Sequence, residues 1–569
     1  MRVLGIEGTA WCASAALYNA ETDDVIIESD PYEPESGGIH PREAAEHMTE
    51  AIPEVIDRIL EVAAKRHGPD AIDAVAFSRG PGLGPCLRTV GTAARALAGT
   101  LAVPLVGVNL MVAHLEIGRH ESGFENPVCL NASGANAHLL GYHDGRYRVL
   151  GETMDAGVGN AIDKFTRHVG WNHPGGPKVE AAAAEADGDD LLELPYVVKG
   201  MDFSFSGISS AANDAYDDGV PVPEICHALQ EHVFAVLTEV SERALSLTGA
   251  DELVLGGGVG QNARLREMLE AMCAARGARF HAPDPQFLRD NAGMIAVLGA
   301  KMARAGDTLA IEDSAVDPNF RPDAVPVTWR EDEPSVVRRL GGDDAPPDDV
   351  ARDVRHRSAK GDVRHRGAEA VVSVETDPAA TGAGSRATGG ARVIKRRVPK
   401  TYRHPTLDAT LRRDRTVSEA RLTSEARRAG VPTPLVYDVD VPNATLTLQY
   451  VGERDLAETL SVERIEAVGE QLARLHGAGI VHGDPTIRNV RVGPAETSPS
   501  TFLIDFGLGY HSGHVEDHAM DLHVLEGSIR ATAAAPDPLV VALETGYRRA
   551  GDPDVLDRLR DVEGRGRYR

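Results

Sequence analysis

Three side chains towards the C-terminal end of the chain have the types and the spacing of a magnesium–phosphate site. Residues 482–489 read His-Gly-Asp-Pro-Thr-Ile-Arg-Asn, and residues 505–507 read Asp-Phe-Gly. The four residues between Asp484 and Asn489 match the spacing of phosphoryl-transfer loops, in which the aspartate positions or deprotonates the nucleophile and the asparagine binds Mg²⁺. Asp505 follows a short apolar run and is the second expected magnesium ligand, because carboxylate and amide oxygens suit Mg²⁺ bound together with phosphates.

A lysine and a glutamate upstream complete a set that could hold ATP. Lys395 ends a strand-like run and is expected to contact the α- and β-phosphates, while Glu419 on the next predicted helix is its expected ion-pair partner. An isolated Asp-Phe-Gly is more often an ordinary turn than a site. Because all four elements occur in the order typical of a phosphotransferase, we interpret them together as one site for ATP and magnesium.

This set resembles the small RIO-like kinase of the KEOPS complex (the Bud/PRPK family). Residues 396–403 (Arg-Arg-Val-Pro-Lys-Thr-Tyr-Arg) and 516–526 resemble two characteristic runs of that family. The resemblance covers residues 366–569 and implies a two-lobed, kinase-like α+β domain. It implies Asp484 as proton acceptor, Mg²⁺ on Asn489 and Asp505, and a substitute for the Gly-rich ATP loop formed by Gly367, Ala368, Glu369 and Ala370. Pro485 departs from the family, which usually has Leu at that position.

The size of this domain restricts the phosphoryl acceptor. Few residues follow Gly507, and the chain has no Ala-Pro-Glu motif. A conventional serine/threonine kinase uses a longer segment there to bind a peptide. We therefore expect ATP hydrolysis or autophosphorylation rather than broad protein phosphorylation.

Glycine-rich turns follow predicted strands in the N-terminal half. Residues 5–9, 131–136 and 256–262 can each bring backbone N–H groups close to phosphate oxygens. One such turn is weak evidence, but three indicate the duplicated phosphate-binding fold of actin and hexokinase. Strand-like runs alternate with helix-period segments and predict an α/β fold; the runs lie at 3–6, 74–77, 105–108, 127–130 and 252–255.

The N-terminal half resembles the universal tRNA threonylcarbamoyltransferase family (TsaD/Kae). Residues 78–88 read Ser-Arg-Gly-Pro-Gly-Leu-Gly-Pro-Cys-Leu-Arg, a signature of that family, and the runs 37–43, 159–165, 173–180, 202–207 and 290–295 also match it. The resemblance covers residues 1–330. It implies transfer of a threonylcarbamoyl group from threonylcarbamoyl-AMP to N6 of the adenosine 3′ of the anticodon, in tRNAs that read ANN codons. It also implies that both halves act within KEOPS, with its small Cgi-type and Pcc-type subunits.

The same resemblance assigns residues to the acyl-adenylate. Its phosphate would lie against Asn131, Ala132, Ser133, Gly134 and Ala135. Its ribose and adenine would contact the following four residues, of which the two carboxylates suit ribose hydroxyls: Asp163, Gly176, Glu180 and Asn262. The alternative role of those carboxylates is ordinary helix surface charge.

The metal site is where the sequence departs from this family. The family pattern Asn-His-x-x-x-His-Leu-Glu places two histidines on one helical face to bind one Fe²⁺ or Zn²⁺. Here Leu110 replaces the first histidine, His114 is present, and Asn131 replaces a frequent tyrosine ligand, which leaves His114, Asp290 and Asn131 as donors. The metal could bind through the substrate, another residue could substitute, or the transferase could be impaired and serve mainly as a scaffold for tRNA and partners.

Two other functions fit the motifs less well. A zincin-type metalloprotease needs His-Glu-x-x-His, which the sequence lacks. A sugar or acetate kinase fused to a regulatory kinase would share the glycine-rich turns, but the run 78–88 and the segment around Lys178 and Glu180 favour the transferase. Threonylcarbamoyl transfer measured with and without a chelator discriminates among these functions and the scaffold.

Length and composition indicate the number of domains, the cellular compartment and the segments that could contact tRNA. The 569 residues exceed a single core and divide into domains 1–330 and 366–569, joined by a charged linker at 331–365. A net charge of −27 with only eight lysines is typical of a halophilic proteome. The five cysteines lack CxxC spacing and no run of 18 apolar residues occurs, so a cytoplasmic protein without a membrane segment is expected. Local basic runs that could contact tRNA phosphates lie at 392–415 and at Arg565, Arg567 and Arg569.

Overall fold

The computed structural model describes most of the chain. The described residues are 1–32, 39–68, 71–134, 136–143, 145–187, 190–330, 362–376, 391–494 and 501–564. Some predicted features lie outside them: Gly37 and Gly38, Ala135, the part 331–361 of the linker, and Arg565, Arg567 and Arg569.

The N-terminal half contains two five-stranded sheets with the same strand order. The first sheet runs β3-β2-β1-β4-β5 and the second runs β8-β7-β6-β11-β12. In each sheet the first three strands along the chain pair in antiparallel fashion. The next two strands are parallel to the first strand and extend the sheet on its other side. These mixed sheets confirm the α/β prediction, and their repeated order shows the duplication. The strands are β1 (Arg2–Glu7), β2 (Cys12–Asn19), β3 (Asp24–Pro31), β4 (Ala74–Gly80), β5 (Leu105–Asn109), β6 (Val128–Ala132), β7 (Ala137–His143), β8 (Arg146–Glu152), β11 (Glu252–Gly256) and β12 (Arg279–His281), with the hairpin β9 (Val197–Lys199) and β10 (Asp202–Ser204) beside them.

Helices connect the strands and pack on the faces of the two sheets. They are α1 (Pro41–His67), α2 (Gly84–Leu101), α3 (Leu110–Ser122), α4 (Val158–His168), α5 (Gly176–Ala183), α6 (Ser206–Asp217), α7 (Val222–Thr248), α8 (Ala263–Arg276) and α9 (Ala292–Arg304). One core combines α3 and α9 with side chains from both sheets. Gly118 of α3 lies so close to β11 that an added Cβ would be 2.1 Å from the Val254 side chain. The absence of a side chain at 118 therefore lets α3 pack directly on the second sheet.

The C-terminal half begins with an antiparallel sheet and continues as a mainly helical unit. The sheet order is β13-β14-β15-β17-β16, and α10 contacts β16 and β17. The first strand begins at Asp362, shortly before the predicted start of this domain. The elements are β13 (Asp362–Arg366), β14 (Ala370–Thr376), β15 (Ala391–Arg397), α10 (Pro405–Arg428), β16 (Val436–Asp440), β17 (Thr445–Gln449), β18 (Arg454–Asp455), α11 (Val462–Gly477), β19 (Ile480–Val481), β20 (Val490–Val492), β21 (Thr501–Leu503), β22 (Tyr510–His511), α12 (Val515–Thr532), α13 (Asp537–Arg548) and α14 (Pro553–Gly564).

Helix α7 is buried along most of its length because it lies between the second sheet's core and the C-terminal half. Its buried residues include the acidic pair Glu239 and Glu242. Tyr402 of the C-terminal half packs into the same hydrophobic core as the apolar side chains of α7. The two halves therefore share one continuous interface. Within the described part of the chain, no helix is long and apolar enough to cross a membrane.

A fully buried glutamate ties α3 to α9 in the N-terminal half. Glu116 accepts hydrogen bonds from Tyr147 at 2.6 Å and Lys301 at 2.9 Å, and it pairs with Arg119 at 3.2 Å. Burial alone would raise the pKa of Glu116, but the charges of Lys301 and Arg119 outweigh it and lower that pKa to about 2. The carboxylate is therefore ionised and holds three elements together.

We predict that Glu116→Gln lowers the free energy of unfolding by about 3 kcal/mol at neutral pH, because it leaves buried cations without their counter-ion. Since the native state lowers the pKa of Glu116 from 4.5 to about 2, the loss should be complete above pH about 5 and shrink as the pH falls towards 2. Urea unfolding measured across this range checks both statements. Glu61→Gln removes an exposed helical pair with Lys65 and is the matched control, with no measurable effect expected. A loss that does not depend on pH would contradict the electrostatic explanation.

Candidate functional site

The first candidate site is a cleft formed by the carboxyl ends of strands from both sheets. Glu7 ends β1, and Asn131 lies near the end of β6, where it is paired in parallel register with Gly256 of β11. Open α/β sheets bind ligands at the carboxyl ends of their parallel strands. All three glycine-rich turns identified in the sequence leave strands at this edge.

The loop after β6 lies against the first turn of α4. Gly159 and Asn160 donate backbone hydrogen bonds to the carbonyls of Ser133 at 3.3 Å and Gly134 at 2.9 Å. A Cβ on Gly159 would be only 2.6 Å from the Cα of Gly134, whereas a Cβ on Gly134 would meet nothing within 4 Å. One side of the loop is thus packed against α4, and the side of Gly134 where a Cβ would lie is open. This arrangement can present backbone N–H groups to an anion.

The side chains predicted to bind a nucleoside lie on neighbouring helices. Asp163 of α4 accepts a hydrogen bond from the Gly175 backbone at 2.8 Å and pairs with His173 at 2.9 Å. Glu180 of α5 accepts one from the backbone of Ala263 at 2.9 Å, at the start of α8. These contacts connect α4 to α5 and α5 to α8.

Asn262 and Gly176 complete that set. Asn262 caps α8, accepting from the backbone of Arg264 at 2.9 Å, and donates to Gln230 of α7 at 3.2 Å. Gly176 begins α5, and an added Cβ there would meet nothing within 4 Å. The four residues of the predicted nucleoside set therefore lie on α4 and α5 and at the start of α8, which their hydrogen bonds connect.

The predicted metal donors also come together, but they do not form a prebuilt metal site. His114 Nε2 lies 3.0 Å from Asp290 Oδ1. The Asn131 side chain is buried; its Nδ2 lies 3.1 Å from Met111 Sδ, and its Oδ1 has no hydrogen-bond partner. Leu110 is buried at the first position of α3, one turn before His114.

The donor set is too small for a metal held by the protein alone. Among the described residues, no group of three or more His, Cys, Asp or Glu side chains is placed to hold a metal ion. A leucine side chain offers no lone pair, so position 110 contributes nothing to coordination. The residues present therefore do not fit a prebuilt Fe²⁺ or Zn²⁺ site.

Two buried polar residues in this cleft were missed by the sequence analysis. Burial, together with the charge of Asp290, raises the pKa of Glu7 to about 8. His138, on β7 opposite Asn131, is buried, and burial lowers its pKa to about 3, so it is neutral. Only the turn containing Glu7 gave a signal in the sequence, since single residues within strands carry no motif.

The second candidate site is a cavity of about 500 Å³ in the C-terminal half. Lys395 of β15 lies 2.8 Å from Glu419 of α10 and 2.7 Å from Asp505. Asp505 has φ +65, a left-handed conformation that is uncommon outside glycine and concentrates at functional sites. Burial opposes ionisation of Asp505, but Lys395 and Arg397 hold its pKa well below the usual range.

Asp484 and Asn489 of the predicted catalytic loop line the same cavity. Asn489 donates to the Asp484 carboxylate at 3.0 Å. Asp521 of α12 fixes the start of the loop by accepting from the backbone N–H groups of His482 at 2.6 Å and Gly483 at 2.8 Å. Burial raises the pKa of Asp484 above its ordinary value, and the charge of Arg243 opposes this shift.

The predicted substitute for the Gly-rich ATP loop borders this cavity. Gly367, Ala368, Glu369 and Ala370 all line it. Glu369 forms ion pairs with Arg415 of α10 and, at 3.5 Å, with Arg403. The loop is therefore anchored by a carboxylate, where a conventional Gly-rich loop has only backbone.

The N-terminal half reaches this second cavity directly, which no sequence motif indicated. Arg243 of α7 places Nη1 2.9 Å from Asp484 Oδ2. Gly200, between β9 and β10, donates its backbone N–H to the carbonyl of Gly483 at 2.7 Å. Arg488 donates to the carbonyl of Leu247, near the end of α7, at 2.9 Å. The catalytic loop is thus covered by the N-terminal half.

Comparisons with known proteins identify the family of the N-terminal half and relatives that match the whole chain. Residues 22–297 match the family described as tRNA N6-adenosine threonylcarbamoyltransferase. A protein of Haloquadratum walsbyi named "Probable bifunctional tRNA threonylcarbamoyladenosine biosynthesis protein" is 64% identical over 100% of both chains. The protein of that name from Halobacterium salinarum is 65% identical over 100% of this chain and 99% of its own. The solved structure of T. kodakarensis HypF covers 55% of this chain and 49% of its own at 12% identity and a TM-score of 0.40, a likeness too weak to carry an argument.

We predict that Leu110→His increases metal retention, because residues 110 and 114 lie one turn apart on α3 and would add a second imidazole beside His114. The protein is loaded with Fe²⁺ or Zn²⁺, desalted and analysed by elemental mass spectrometry. The Leu110→His variant should retain close to one equivalent, and the wild type clearly less. Leu110→Ala, which opens the same space without adding a ligand, should match the wild type. Equal occupancy in wild type and Leu110→His would refute the claim that Leu110 weakens the site.

Proposed function

The chain belongs to the family of bifunctional tRNA threonylcarbamoyladenosine biosynthesis proteins, with a threonylcarbamoyltransferase as its N-terminal half, and we propose how its two sites divide the chemistry. The cleft between the sheets would bind threonylcarbamoyl-AMP and carry out the transfer to tRNA. The cavity in the C-terminal half would bind Mg-ATP in a kinase-like domain and hydrolyse it in support of the transfer. The observation that carries the second assignment is that Lys395, Asp484, Asn489 and Asp505 line one cavity.

In the transferase, residues of the cleft would bind and orient the acyl-adenylate. The loop 131–134 would hold its phosphate, and the carboxylates of Asp163 and Glu180 would accept hydrogen bonds from ribose hydroxyls. The N6 nitrogen of the tRNA adenosine then forms a bond to the carbamoyl carbon while the bond from that carbon to the phosphate oxygen breaks. AMP leaves, and the amine loses a proton. Backbone N–H groups at the phosphate would stabilise the charge that develops on AMP.

Members of this family typically bind a metal, yet we assign no step to one here. The donors His114, Asp290 and Asn131 are one protein ligand short of the usual set, because Leu110 stands in the first position. A bound acyl-adenylate could complete the coordination. This departure favours a second candidate function, in which the N-terminal half is impaired and serves mainly to hold tRNA and partners.

In the C-terminal half, four side chains would share the work of ATP hydrolysis. Asn489 and Asp505 would hold Mg²⁺, which when bound neutralises charge on the phosphate oxygens. Lys395, fixed by Glu419, would contact the α- and β-phosphates. Asp484, whose pKa is raised by burial, would orient the attacking water and accept its proton. Water is the favoured acceptor because α7 and the β9–β10 hairpin cover the loop where a peptide would dock.

The partners and location follow from the same family membership. We propose tRNA, threonylcarbamoyl-AMP and ATP as ligands, small KEOPS subunits of the Cgi and Pcc types as partners, and the cytoplasm as the compartment. The basic runs at 392–415 and in the C-terminal tail are candidates for contact with tRNA phosphates. In the structure, however, Lys395, Lys400, Arg403 and Arg415 of the first run are engaged in ion pairs.

We predict that Asp484→Ala abolishes ATP hydrolysis by the full chain, because it removes the group that orients water. Asp484→Asn, which preserves the shape, should also reduce the rate by at least about a hundredfold. Release of inorganic phosphate measures both. Asp537→Asn, at an exposed carboxylate of α13, is the matched control and should hydrolyse ATP at the wild-type rate. Wild-type turnover in Asp484→Ala would show that the catalytic-loop assignment is wrong.

We predict that Glu180→Gln raises the KM for threonylcarbamoyl-AMP about tenfold, since a hydrogen bond to a charged acceptor contributes about 1.5–3 kcal/mol. Transfer of the labelled threonylcarbamoyl group to tRNA is the assay. Glu185→Gln, a neighbouring exposed carboxylate, serves as control. An unchanged KM would place the ribose elsewhere.

The same assay separates an active transferase from a scaffold. Transfer that is present and is lost on chelation would show that a metal still binds through the substrate. Absence of transfer in the wild type, restored by Leu110→His, would establish the scaffold as the second candidate function.

A further inference from the structure

Helix α7 of the transferase half places the guanidinium of Arg243 in the proposed ATP cavity. Arg243 lines that cavity, and its side chain is 11% exposed. Its Nη1 lies 2.9 Å from Asp484 Oδ2, and its Nη2 lies 3.9 Å from Glu369 Oε1. The guanidinium therefore lies beside the carboxylate that would orient water, within the cavity proposed to hold ATP.

The side chain of Arg243 is fixed in this position. Its Nε donates to Glu239, one turn earlier on α7, at 3.1 Å. Glu239 is itself held by Arg403 at 2.7 Å and Arg415 at 3.0 Å, both from the C-terminal half. One edge of the guanidinium is thus anchored by Glu239, while the Nη atoms point towards the carboxylates of the cavity. Such preorganisation is what electrostatic catalysis requires.

The other cations that line the cavity in the described part of the chain have other partners than Asp484. Lys395 pairs with Glu419 and Asp505, and Arg397 pairs with Glu419. Arg491 pairs with Asp455, and Arg488 donates to the carbonyl of Leu247. Between Asp484 and Asn489, Arg488 is the only lysine or arginine in the sequence. Among these side chains, Arg243 is the cation paired with Asp484.

We propose that Arg243 is a catalytic residue of ATP hydrolysis, donated by the transferase half, whose guanidinium contacts the γ-phosphate oxygens when Mg-ATP fills the cavity. This inference rests on the proposed ATPase activity of the C-terminal half. The water oxygen forms a bond to the γ-phosphorus as the bond from that phosphorus to the β–γ bridging oxygen breaks. The bonding electron pair leaves with ADP, and the proton of the water passes to Asp484 and then to solvent.

Arg243 would act on the charge that moves during this step. Negative charge spreads over the equatorial oxygens of the transferring group and onto the bridging oxygen. A fixed guanidinium in a buried cavity stabilises that charge, and arginines supplied in this way to other phosphoryl-transfer sites accelerate them about 10³–10⁵-fold. The ion pair with Asp484 then belongs to the nucleotide-free state and gives way to phosphate contacts when ATP binds.

The test compares full-length Arg243→Ala and Arg243→Lys with the wild type. We expect Arg243→Ala to lower kcat for ATP hydrolysis at least about a hundredfold with little change in KM, and Arg243→Lys to recover part of the rate. Lys199→Ala is the matched control, because Lys199 forms another ion pair between the halves, with Asp517 at 2.7 Å, away from the cavity. This control should retain the wild-type rate.

A second measurement separates catalysis from a structural role. ADP with aluminium fluoride mimics the planar transferring phosphoryl group, so the wild type should bind it more tightly than ADP alone. Arg243→Ala should bind Mg-ADP like the wild type, which also shows that the variant is folded, and should lose the additional affinity for aluminium fluoride. Loss of both affinities in Arg243→Ala, with neither recovered in Arg243→Lys, would overturn the proposal in favour of a structural role.

Other outcomes would also overturn it. A faster Arg243→Ala variant would mean that the ion pair restrains Asp484, and an unchanged one would mean that Arg243 does not reach the phosphate. If the wild type and Asp484→Ala are equally inactive, the proposed ATPase itself fails. The two failures are therefore distinguishable. An inactive wild type contradicts the proposed ATPase, whereas an active wild type with an unaffected or faster Arg243→Ala variant contradicts the role of Arg243.

Discussion

The arrangement of the two halves depends on a buried carboxylate, Glu239, that receives arginines from both sides. Arg243 comes from its own helix, and Arg403 and Arg415 come from the C-terminal half. Burial alone would raise the pKa of Glu239, but these three charges hold it well below the usual range. Separating the halves would leave unpaired charges in place of satisfied ones, and such losses are costly in buried networks. Buried pairs are also screened little by salt, which suits an acidic chain of halophilic composition.

The same helix contacts both candidate sites. Near its start, Gln230 accepts a hydrogen bond from Asn262 at the proposed nucleoside pocket. Towards its end, Arg243 forms an ion pair with Asp484, the proposed catalytic aspartate of the second cavity. A continuous α-helix is stiff because each turn is hydrogen-bonded to the next. One rigid element therefore connects the proposed nucleoside pocket to the proposed ATP cavity.

The candidate residues of the second cavity could be related to one another from the sequence because they belong to local motifs. Asp484 and Asn489 lie in one loop, and Lys395 and Glu419 belong to a consecutive strand and helix, so spacing along the chain is enough to relate them. Glu7, His138 and Arg243 could not be found in this way, because their neighbours in space are remote in sequence. The charged residues of α7 are scattered through a largely apolar helix and match no motif. Leu110 could be recognised from the sequence because the residues around it, Asn109 and His114 to Glu116, match the family pattern and only position 110 differs.

The sequence by itself determined the alternation of strands and helices, the three glycine-rich turns, the spacing of Asp484, Asn489 and Asp505, and the presence of a leucine at position 110. These are properties of residue type and local spacing: glycine permits close approach, carboxylates bind hard cations, and a hydrocarbon side chain cannot coordinate a metal. Only the tertiary structure decided which ends of the sheets meet, and that Arg243 stands beside Asp484. Those contacts depend on how the second sheet, α7 and the C-terminal half pack, and packing is a property of whole surfaces that no short motif encodes.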